Sequence, residues 1–363
     1  MKDYREVNQK MQNNPFSLVF RTPPAEAIER IAQKNEILDN FTADLPSQKV
    51  YIITGLRGSG KTVLMAAVAD RLRTDDDWIV VELNPELDLL QGLAAKLCSN
   101  SVYAEWFRKA KINLSLLGFG LEIKGEPPIV DLETAVARML ENIQSKGKRL
   151  LVTIDEVTNT KAMRVFAASY QIFVRQKYPI FLLMTGLYEN IDDLQNEKSL
   201  TFLYRAPKIR LQPLNLIAIK HRYQALFQLT DEDAAKMASL TRGYSFAFQV
   251  LGYLTWNQDG DYRAVIEQYK RYLEDYVYLK IWRELSEKDR ALTYAIAASD
   301  ANTVKAIKEK ANMAPNEFSI YRDRLLKKEL GTGDERGKLT FTLPLFADFV
   351  RENAQIAAAM EEW

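Results

Sequence analysis

The sequence predicts an α/β fold in which a parallel β-sheet is flanked by helices, followed by a helical segment and a winged helix-turn-helix. In residues 1–213, short apolar runs alternate with amphipathic helical segments. Residues 214–283 have nearly continuous helical periodicity, and residues 284–363 contain three helical segments followed by a glycine-rich turn and an alternating segment. These changes of pattern predict three domains with those boundaries.

Five runs in the first of these domains have the length and composition of buried strands. They comprise residues 50–54, 78–83, 149–154, 179–186 and 209–211. Helical periodicity in residues 85–97, 132–145 and 162–177 separates several of them. Strands that alternate with helices form parallel, doubly wound sheets, which bind ligands at the carboxyl ends of their strands.

The first strand leads into Gly-Leu-Arg-Gly-Ser-Gly-Lys-Thr at residues 55–62, and a helical run follows. This is the G-x-x-x-x-G-K-S/T pattern in the strand–loop–helix context that it requires, so it predicts a P-loop NTPase rather than a chance glycine-rich turn. Lys61 would bridge the β- and γ-phosphates, and Thr62 would contact Mg²⁺. We expect nucleotide contacts from Gly55, Arg57, Gly58, Ser59, Gly60, Lys61, Thr62 and Val63.

The strand at residues 149–154 ends in two carboxylates, Asp155 and Glu156. At the carboxyl edge of the sheet, Asp155 would hold Mg²⁺ together with Thr62. Glu156 would then orient and polarise the water that attacks the γ-phosphate. The alternative is a strand that ends in a solvated acidic turn, which the preceding P-loop disfavours.

Several segments together resemble the prokaryotic and archaeal-type ATPases of the AAA+/STAND group, which are related to the origin-recognition and replication-initiator ATPases. The residues that carry the resemblance are NPF at 14–16, VYIITGLRGSGKT, RLLVTIDE, FLLMTG and YRAPKIRLQPL at 204–214. The resemblance covers most of the chain. It implies that ATP is the nucleotide, that Mg²⁺ accompanies it and that the last domain is a winged helix.

The same resemblance implies further roles at matching positions. Thr185 would be the polar sensor that contacts the γ-phosphate or the attacking water. Arg205 matches an arginine finger that acts on a neighbouring subunit in a homo-oligomer, although a structural surface arginine fits that position equally well. The resemblance also implies that residues 214–283 form the helical lid that follows the ATPase core. This lid departs from the STAND pattern, because Ser245 stands where STAND members have proline, two residues after the glycine that is Gly243 here.

The winged helix predicts a partner but does not identify its class. The third helix offers four cations to duplex DNA: Arg322, Arg324, Lys327 and Lys328. However, residues 285–353 contain 12 Lys and Arg against 11 Asp and Glu, which is less basic than a typical DNA-binding domain. A protein partner is therefore an equal alternative.

Residues 111–124 interrupt the alternation of helices and strands. Apolar and polar residues alternate on both sides of a glycine-rich turn, which predicts a β-hairpin inserted in the ATPase core. The hairpin would either pack on the core or form an arm that binds a partner.

The amino-acid composition excludes several classes of site and limits the partners that the protein could have. With one cysteine and one histidine among 363 residues, a Cys/His zinc site and an intramolecular disulfide are excluded. The net charge of +1 gives no chain-wide attraction to nucleic acid or membranes. The start of the sequence lacks a signal peptide's apolar core, and no apolar run reaches membrane-spanning length. We therefore expect a cytoplasmic protein with no membrane partner.

Together these features predict an ATP-hydrolysing switch that couples its nucleotide state to DNA or a protein through the winged helix. The alternative is a regulatory module that ATP locks in one conformation, with little hydrolysis and no DNA binding. A metabolic kinase is disfavoured, because nothing in the sequence indicates a second substrate site and the winged helix has no place in one.

Overall fold

The computed structural model describes residues 14–19, 24–119, 122–333 and 335–361. These residues form two compact units. The first unit consists of residues 30–54 and 61–210, and the second of the described parts of residues 1–29, 55–60 and 211–363. No helix in the described ranges is long and apolar enough to cross a lipid bilayer.

The first unit is built on a parallel sheet of five strands. The strands are β1 (Val50–Thr54), β2 (Trp78–Leu83), β3 (Arg149–Ile154), β4 (Ile180–Gly186) and β5 (Lys208–Arg210). Their spatial order is β2-β3-β4-β1-β5, so β4 lies between the strand that precedes the P-loop and the strand that precedes Asp155. In register, Thr54 pairs with Gly186 and Ile154 pairs with Met184, which aligns the carboxyl ends of the three strands.

Helices cover both faces of this sheet. The helices of the unit are α1 (Ile31–Thr42), α2 (Lys61–Arg73), α3 (Leu89–Ser99), α4 (Ser101–Lys109), α5 (Leu132–Ser145), α6 (Lys161–Arg175) and α7 (Tyr188–Gln195), with a 3-10 segment at Lys198–Arg205. Alternate strand residues such as Val152 and Leu182 pack with α3, α5 and α6 in one core. On the opposite face, Phe41 of α1 contacts Tyr51 and Phe181. Burial on both faces explains the near-continuous apolar runs and confirms the predicted fold class.

The hairpin expected at residues 111–124 is not formed in the described part of that segment. Ser115–Leu117 is a 3-10 turn, and no strand occurs in residues 111–119 or 122–124. Ile112 and Leu114 are buried in the core, whereas Asn113 donates to the Glu126 carbonyl at 2.8 Å. The alternation is therefore real, but a buried amide, not a strand ladder, satisfies the backbone. Gly120 and Leu121 lie outside the described residues.

Residues 216–284 of the second unit are mainly helical. The helices are α8 (Leu216–Phe227), α9 (Asp231–Ser239), α10 (Ser245–Asn257), α11 (Ile266–Leu273) and α12 (Leu279–Glu284), with a π-helical segment at Glu274–Tyr278. The NPF segment at residues 14–16 packs here, because Phe16 is buried against Tyr223 and Phe248. These aromatic contacts and the adjoining apolar residues form a core continuous with that of the C-terminal helices.

The C-terminal part of this unit has the elements of a winged helix. Helices α13 (Glu287–Ala297), α14 (Val304–Ala311) and α15 (Pro315–Lys327) precede an antiparallel pair, β6 (Gly331–Thr332) and β7 (Thr340–Phe341), and α16 (Phe346–Glu361) follows. A capping box begins α13, because Ser286 and Asp289 exchange hydrogen bonds there. The two boundaries between the three domains drawn from the sequence, at 213/214 and 283/284, stay predictions.

Candidate functional site

A cluster of polar side chains lies at the carboxyl ends of β3 and β4. The Thr62 hydroxyl, in the first turn of α2, donates to the Asp155 carboxylate. Its oxygen lies 2.9 Å from one carboxylate oxygen and 3.2 Å from the other. The Thr185 hydroxyl, near the end of β4, donates a short hydrogen bond to the same carboxylate. Asp155 is 6% exposed and Thr185 is fully buried. Three residues predicted from separate motifs therefore meet in one cluster, in which Asp155 and Thr185 are buried and Thr62 is half-buried.

Glu156 is next in the chain but has a different environment. Its backbone has φ +55°, a left-handed conformation that is unfavourable for a residue with a side chain, and it is exposed. The Glu156 N–H donates to the Thr185 hydroxyl at 3.0 Å. A strained backbone conformation persists where surrounding contacts fix it. The hydrogen bond to Thr185 therefore stabilises the chain reversal at Glu156, which directs the Glu156 carboxylate outward.

The protein atoms in the cluster suit a magnesium ion that is completed by phosphate and water. A hydroxyl and a carboxylate are hard oxygen ligands, which Mg²⁺ prefers, and Thr62 and Asp155 already place these groups together. Among the described ranges, no group of three or more His, Cys, Asp or Glu side chains is arranged to hold a metal. Thr62 and Asp155 could therefore supply two of the oxygen ligands of a Mg²⁺ ion.

The P-loop is held from outside its own motif. Residues 55–60 belong to the second unit, where the Gly58 carbonyl accepts a hydrogen bond from the Phe246 N–H at 3.1 Å. Tyr244 and Ser245 also bond to carbonyl groups of the loop. Sequence reasoning missed these residues, because nothing near the P-loop motif marks them. The serine in place of the lid proline was the one available signal.

Lys61 and Arg205 have contrasting environments. Lys61 is the first residue of α2 and is 8% exposed. Arg205 ends the 3-10 segment Lys198–Arg205 and is exposed. The structure therefore brings Thr62, Asp155 and Thr185 together and leaves Arg205 at the surface of its unit.

The predicted DNA-contacting cations of α15 are partly engaged within the winged helix. Arg324 pairs with Asp289 at 2.9 Å, and Lys327 pairs with Asp323 at 2.9 Å. Because Asp289 is fully buried, the first pair ties α15 to the capped start of α13. The guanidinium of Arg324 therefore has a structural role whether or not it contacts a partner.

Replacing Asp289 with alanine is expected to destabilise the winged helix by roughly 1–3 kcal/mol, because it removes a capping box and one partner of a half-buried ion pair. Replacing Asp323, which pairs with Lys327 at the surface, should change stability little. Urea unfolding followed by tryptophan fluorescence compares the two variants. Equal losses in both would contradict a special role for Asp289.

Comparison with known proteins bears on the fold. Residues 275–350, within the C-terminal part, match a family model described as a domain of unknown function (DUF8462). No curated protein sequence matches the chain. Among solved structures, the Walker-type ATPase PABY2304 of Pyrococcus abyssi superposes with a TM-score of 0.66 at 16% identity, covering 93% of this chain and 99% of that chain. The chain has the Walker-type P-loop ATPase fold.

A second structure extends the same relationship. The Aeropyrum pernix ORC2 protein, solved as ADPNP–ADP complexes, superposes on the present chain with a TM-score of 0.53 at 14% identity. The alignment covers 97% of this chain and 98% of that chain. At these identities the comparison concerns the fold, and it confirms the predicted structural resemblance to the origin-recognition ATPases.

Proposed function

We propose that the protein is an ATP-hydrolysing switch. The observation that carries this proposal is the cluster of Thr62, Asp155 and Thr185, which joins the P-loop helix to the strand ends that precede the candidate base. A site that only bound phosphate would need the loop and Lys61. The added carboxylate, hydroxyl and outward-turned Glu156 are what attack by water requires.

Each residue of the cluster has a distinct role in this proposal. Lys61 binds the β- and γ-phosphates, and Thr62 and Asp155 hold Mg²⁺, which neutralises charge on the phosphates when it is bound. The Thr185 hydroxyl donates its hydrogen to Asp155, and its oxygen accepts a hydrogen bond from the Glu156 N–H. Thr185 therefore positions both the Asp155 carboxylate and the turn at Glu156. Glu156 accepts a hydrogen bond from the attacking water and takes its proton as the new oxygen–phosphorus bond forms. The bond between the γ-phosphorus and the β,γ-bridging oxygen breaks in the same reaction, and ADP leaves.

The nucleotide proposed here is ATP. The solved ADPNP–ADP complexes of the Aeropyrum pernix protein, which shares the fold, support an adenine nucleotide. The resemblance of the motifs to ATPases points the same way. Arg205, exposed at the end of its 3-10 segment, is proposed to act on the γ-phosphate of a second copy.

Contacts within the second unit support coupling from the P-loop to the winged helix. Arg57 pairs with Glu284 at 3.6 Å, and Glu284 is the last residue of α12, directly before the winged helix. Arg242, two residues before Tyr244, donates to the Phe341 carbonyl in β7 at 2.8 Å. A nucleotide bound at the P-loop would therefore act through these two contacts on points close to or inside the winged helix.

The class of partner is decided by the same experiment that tests the proposed activity. Phosphate release from ATP is measured with Mg²⁺, with EDTA, and with or without duplex DNA, alongside the oligomeric mass. We expect Mg²⁺-dependent turnover and an ATP-dependent increase in mass. Absence of turnover under all these conditions would leave the ATP-locked module as the function, and a monomer under ATP would exclude Arg205 acting on a second copy.

A DNA partner would add two signatures to this experiment. Turnover would change with duplex DNA, and binding would fall steeply as salt is raised, because phosphate contacts release counterions. Lys327 can exchange its exposed partner Asp323 for phosphate at small energetic cost, whereas Arg324 would leave the buried Asp289 carboxylate without its ion pair, so Lys327 is the better candidate for a phosphate contact. Binding and turnover that do not respond to DNA would assign the winged helix to a protein partner.

A further inference from the structure

Three consecutive carbonyl groups of the P-loop are bonded to three consecutive residues at the start of α10. These bonds join the Tyr244 hydroxyl to the Arg57 carbonyl (2.5 Å), the Ser245 hydroxyl to the Ser59 carbonyl (2.9 Å) and the Phe246 N–H to the Gly58 carbonyl (3.1 Å). The donors and acceptors are about half the chain apart, since the first pair is separated by 187 positions. We call residues 244–246 the loop clamp.

The loop clamp determines which way the amide groups of the loop point. In a trans peptide, the carbonyl of one residue and the N–H of the next point in opposite directions. Fixing the Arg57 and Ser59 carbonyls toward α10 therefore turns the N–H groups of Gly58 and Gly60 away from it. Inward-facing N–H groups are what a P-loop offers to phosphate, and a carbonyl that flipped inward would repel it.

The clamp itself is held in a constrained turn. Arg242 and Gly243 both have left-handed backbone conformations, with φ +48° and +75°. A side chain at Gly243 would place its Cβ 2.5 Å from the Leu214 carbonyl oxygen, so glycine is required there. The Gly243 carbonyl accepts a hydrogen bond from the Leu214 N–H at 2.7 Å. The turn is thus fixed from two sides before α10 begins.

Tyr244 is positioned to donate its hydroxyl hydrogen to the loop. It is 6% exposed, and burial raises the pKa of its hydroxyl well above the usual value, with a smaller opposing effect of Arg57. The hydroxyl therefore stays protonated. The fit against the loop is close, because a Cβ at Gly58 would lie 2.4 Å from this oxygen. Gly58 also has φ +73°, so both the backbone and the Tyr244 contact select glycine.

We infer that Tyr244 and Ser245 are positioning residues for phosphate binding, holding the P-loop in its anion-accepting conformation before the nucleotide arrives. This inference rests on the proposed function, since it assumes that the loop binds a nucleoside triphosphate. It predicts an effect on binding and not on the bond-breaking step, because neither side chain belongs to the cluster of Thr62, Asp155 and Thr185. ATP and ADP should be affected alike.

The test compares phenylalanine replacements at two buried tyrosines. Tyr244→Phe removes the hydrogen bond to the loop, whereas Tyr223→Phe removes a matched bond to the Phe248 carbonyl at 2.8 Å within the helices. Affinity for ribose-labelled fluorescent ATP and ADP is measured with Mg²⁺, and turnover is measured at saturating ATP. We expect Tyr244→Phe to weaken both nucleotides about 5- to 30-fold, as the loss of one buried hydrogen bond does, with kcat retained.

Further variants distinguish a positioning role of the loop clamp from a general loss of stability and from a failure of nucleotide binding. Ser245→Ala should weaken both nucleotides in the same direction, and Tyr223→Phe should leave their affinities unchanged even if it lowers Tm. Equal affinities for Tyr244→Phe and Tyr223→Phe, or a loss confined to kcat, would overturn the positioning role. Lys61→Ala reports on the proposed function independently. If the unsubstituted protein and Lys61→Ala bind the labelled ATP equally, then nucleotide binding at the P-loop has failed, not the clamp.

Discussion

Replacing Lys61 with alanine is expected to weaken ATP binding by about 100- to 10,000-fold. Charge-assisted hydrogen bonds contribute roughly 1.5–3 kcal/mol each, and a lysine that bridges two phosphates makes two of them. At about 1.4 kcal/mol per tenfold change in affinity, their loss gives that range. Lys61 is 8% exposed at the start of α2, so water replaces its charge poorly once ATP is bound. Titration with labelled ATP measures the change.

Lys49 provides the matched control. It precedes β1 at the amino end of the strand, whereas Lys61 follows the P-loop at the carboxyl end, and its ammonium group donates to the Tyr178 carbonyl at 2.7 Å. Burial lowers its pKa, as does the neighbouring Arg149. Lys49→Ala should reduce stability but leave ATP affinity unchanged. Retained affinity in Lys61→Ala, or an equal loss in Lys49→Ala, would contradict the assignment of the P-loop lysine.

The parts of the fold that the sequence predicted best are those determined by local patterns. β1 ends at Thr54, directly before the P-loop, as the apolar run and the following glycine indicate. Ser286 and Asp289 form the capping box that their spacing predicts. In both cases residues close together in the chain determine the local structure, so a single sequence is sufficient to predict it. Contacts between distant segments are different, because many pairings satisfy the same pattern.

Three features show where the local patterns are insufficient. The alternation around Asn113 was interpreted as a hairpin, but the buried amide takes the hydrogen bonds that a second strand would have made. The sequence offers Arg324 as a cation for DNA, but it does not indicate that a buried carboxylate on another helix pairs with this side chain. Tyr244 contacts the P-loop across 187 positions, and no spacing rule predicts such a pair. Each depends on tertiary packing that sequence periodicity does not contain.

The left-handed conformation of Glu156 was also absent from the sequence prediction, and its physical consequences can be tested. A β-region residue after β3 would have continued the strand direction. With φ +55° and its N–H bonded to Thr185, the chain turns, and the carboxylate leaves the buried cluster that Asp155 enters. In the proposed mechanism the two adjacent carboxylates therefore have different roles, Asp155 toward the metal and Glu156 toward water.

Replacing Glu156 with glutamine is expected to lower kcat for ATP hydrolysis by about 100- to 10,000-fold, the usual contribution of a general base. ATP affinity should stay close to that of the unsubstituted protein, because the amide has the same shape and the P-loop is untouched. Trapped ATP and lost phosphate release would be measured in the same sample. Glu189→Gln, an exposed acid in the first turn of α7, is the control and should retain turnover.

Glycine at the same position separates function from folding. Glu156→Gly removes the carboxylate, so turnover should be lost as in the glutamine variant. It also relieves the left-handed strain, so stability should be retained or raised by up to about 1 kcal/mol, after the larger unfolded-state entropy of glycine is subtracted. An inactive variant that is as stable as the parent would identify the strain as maintained for catalysis. Unchanged turnover in both variants would remove Glu156 from the reaction, and a large loss of stability in the glycine variant would assign it a structural role.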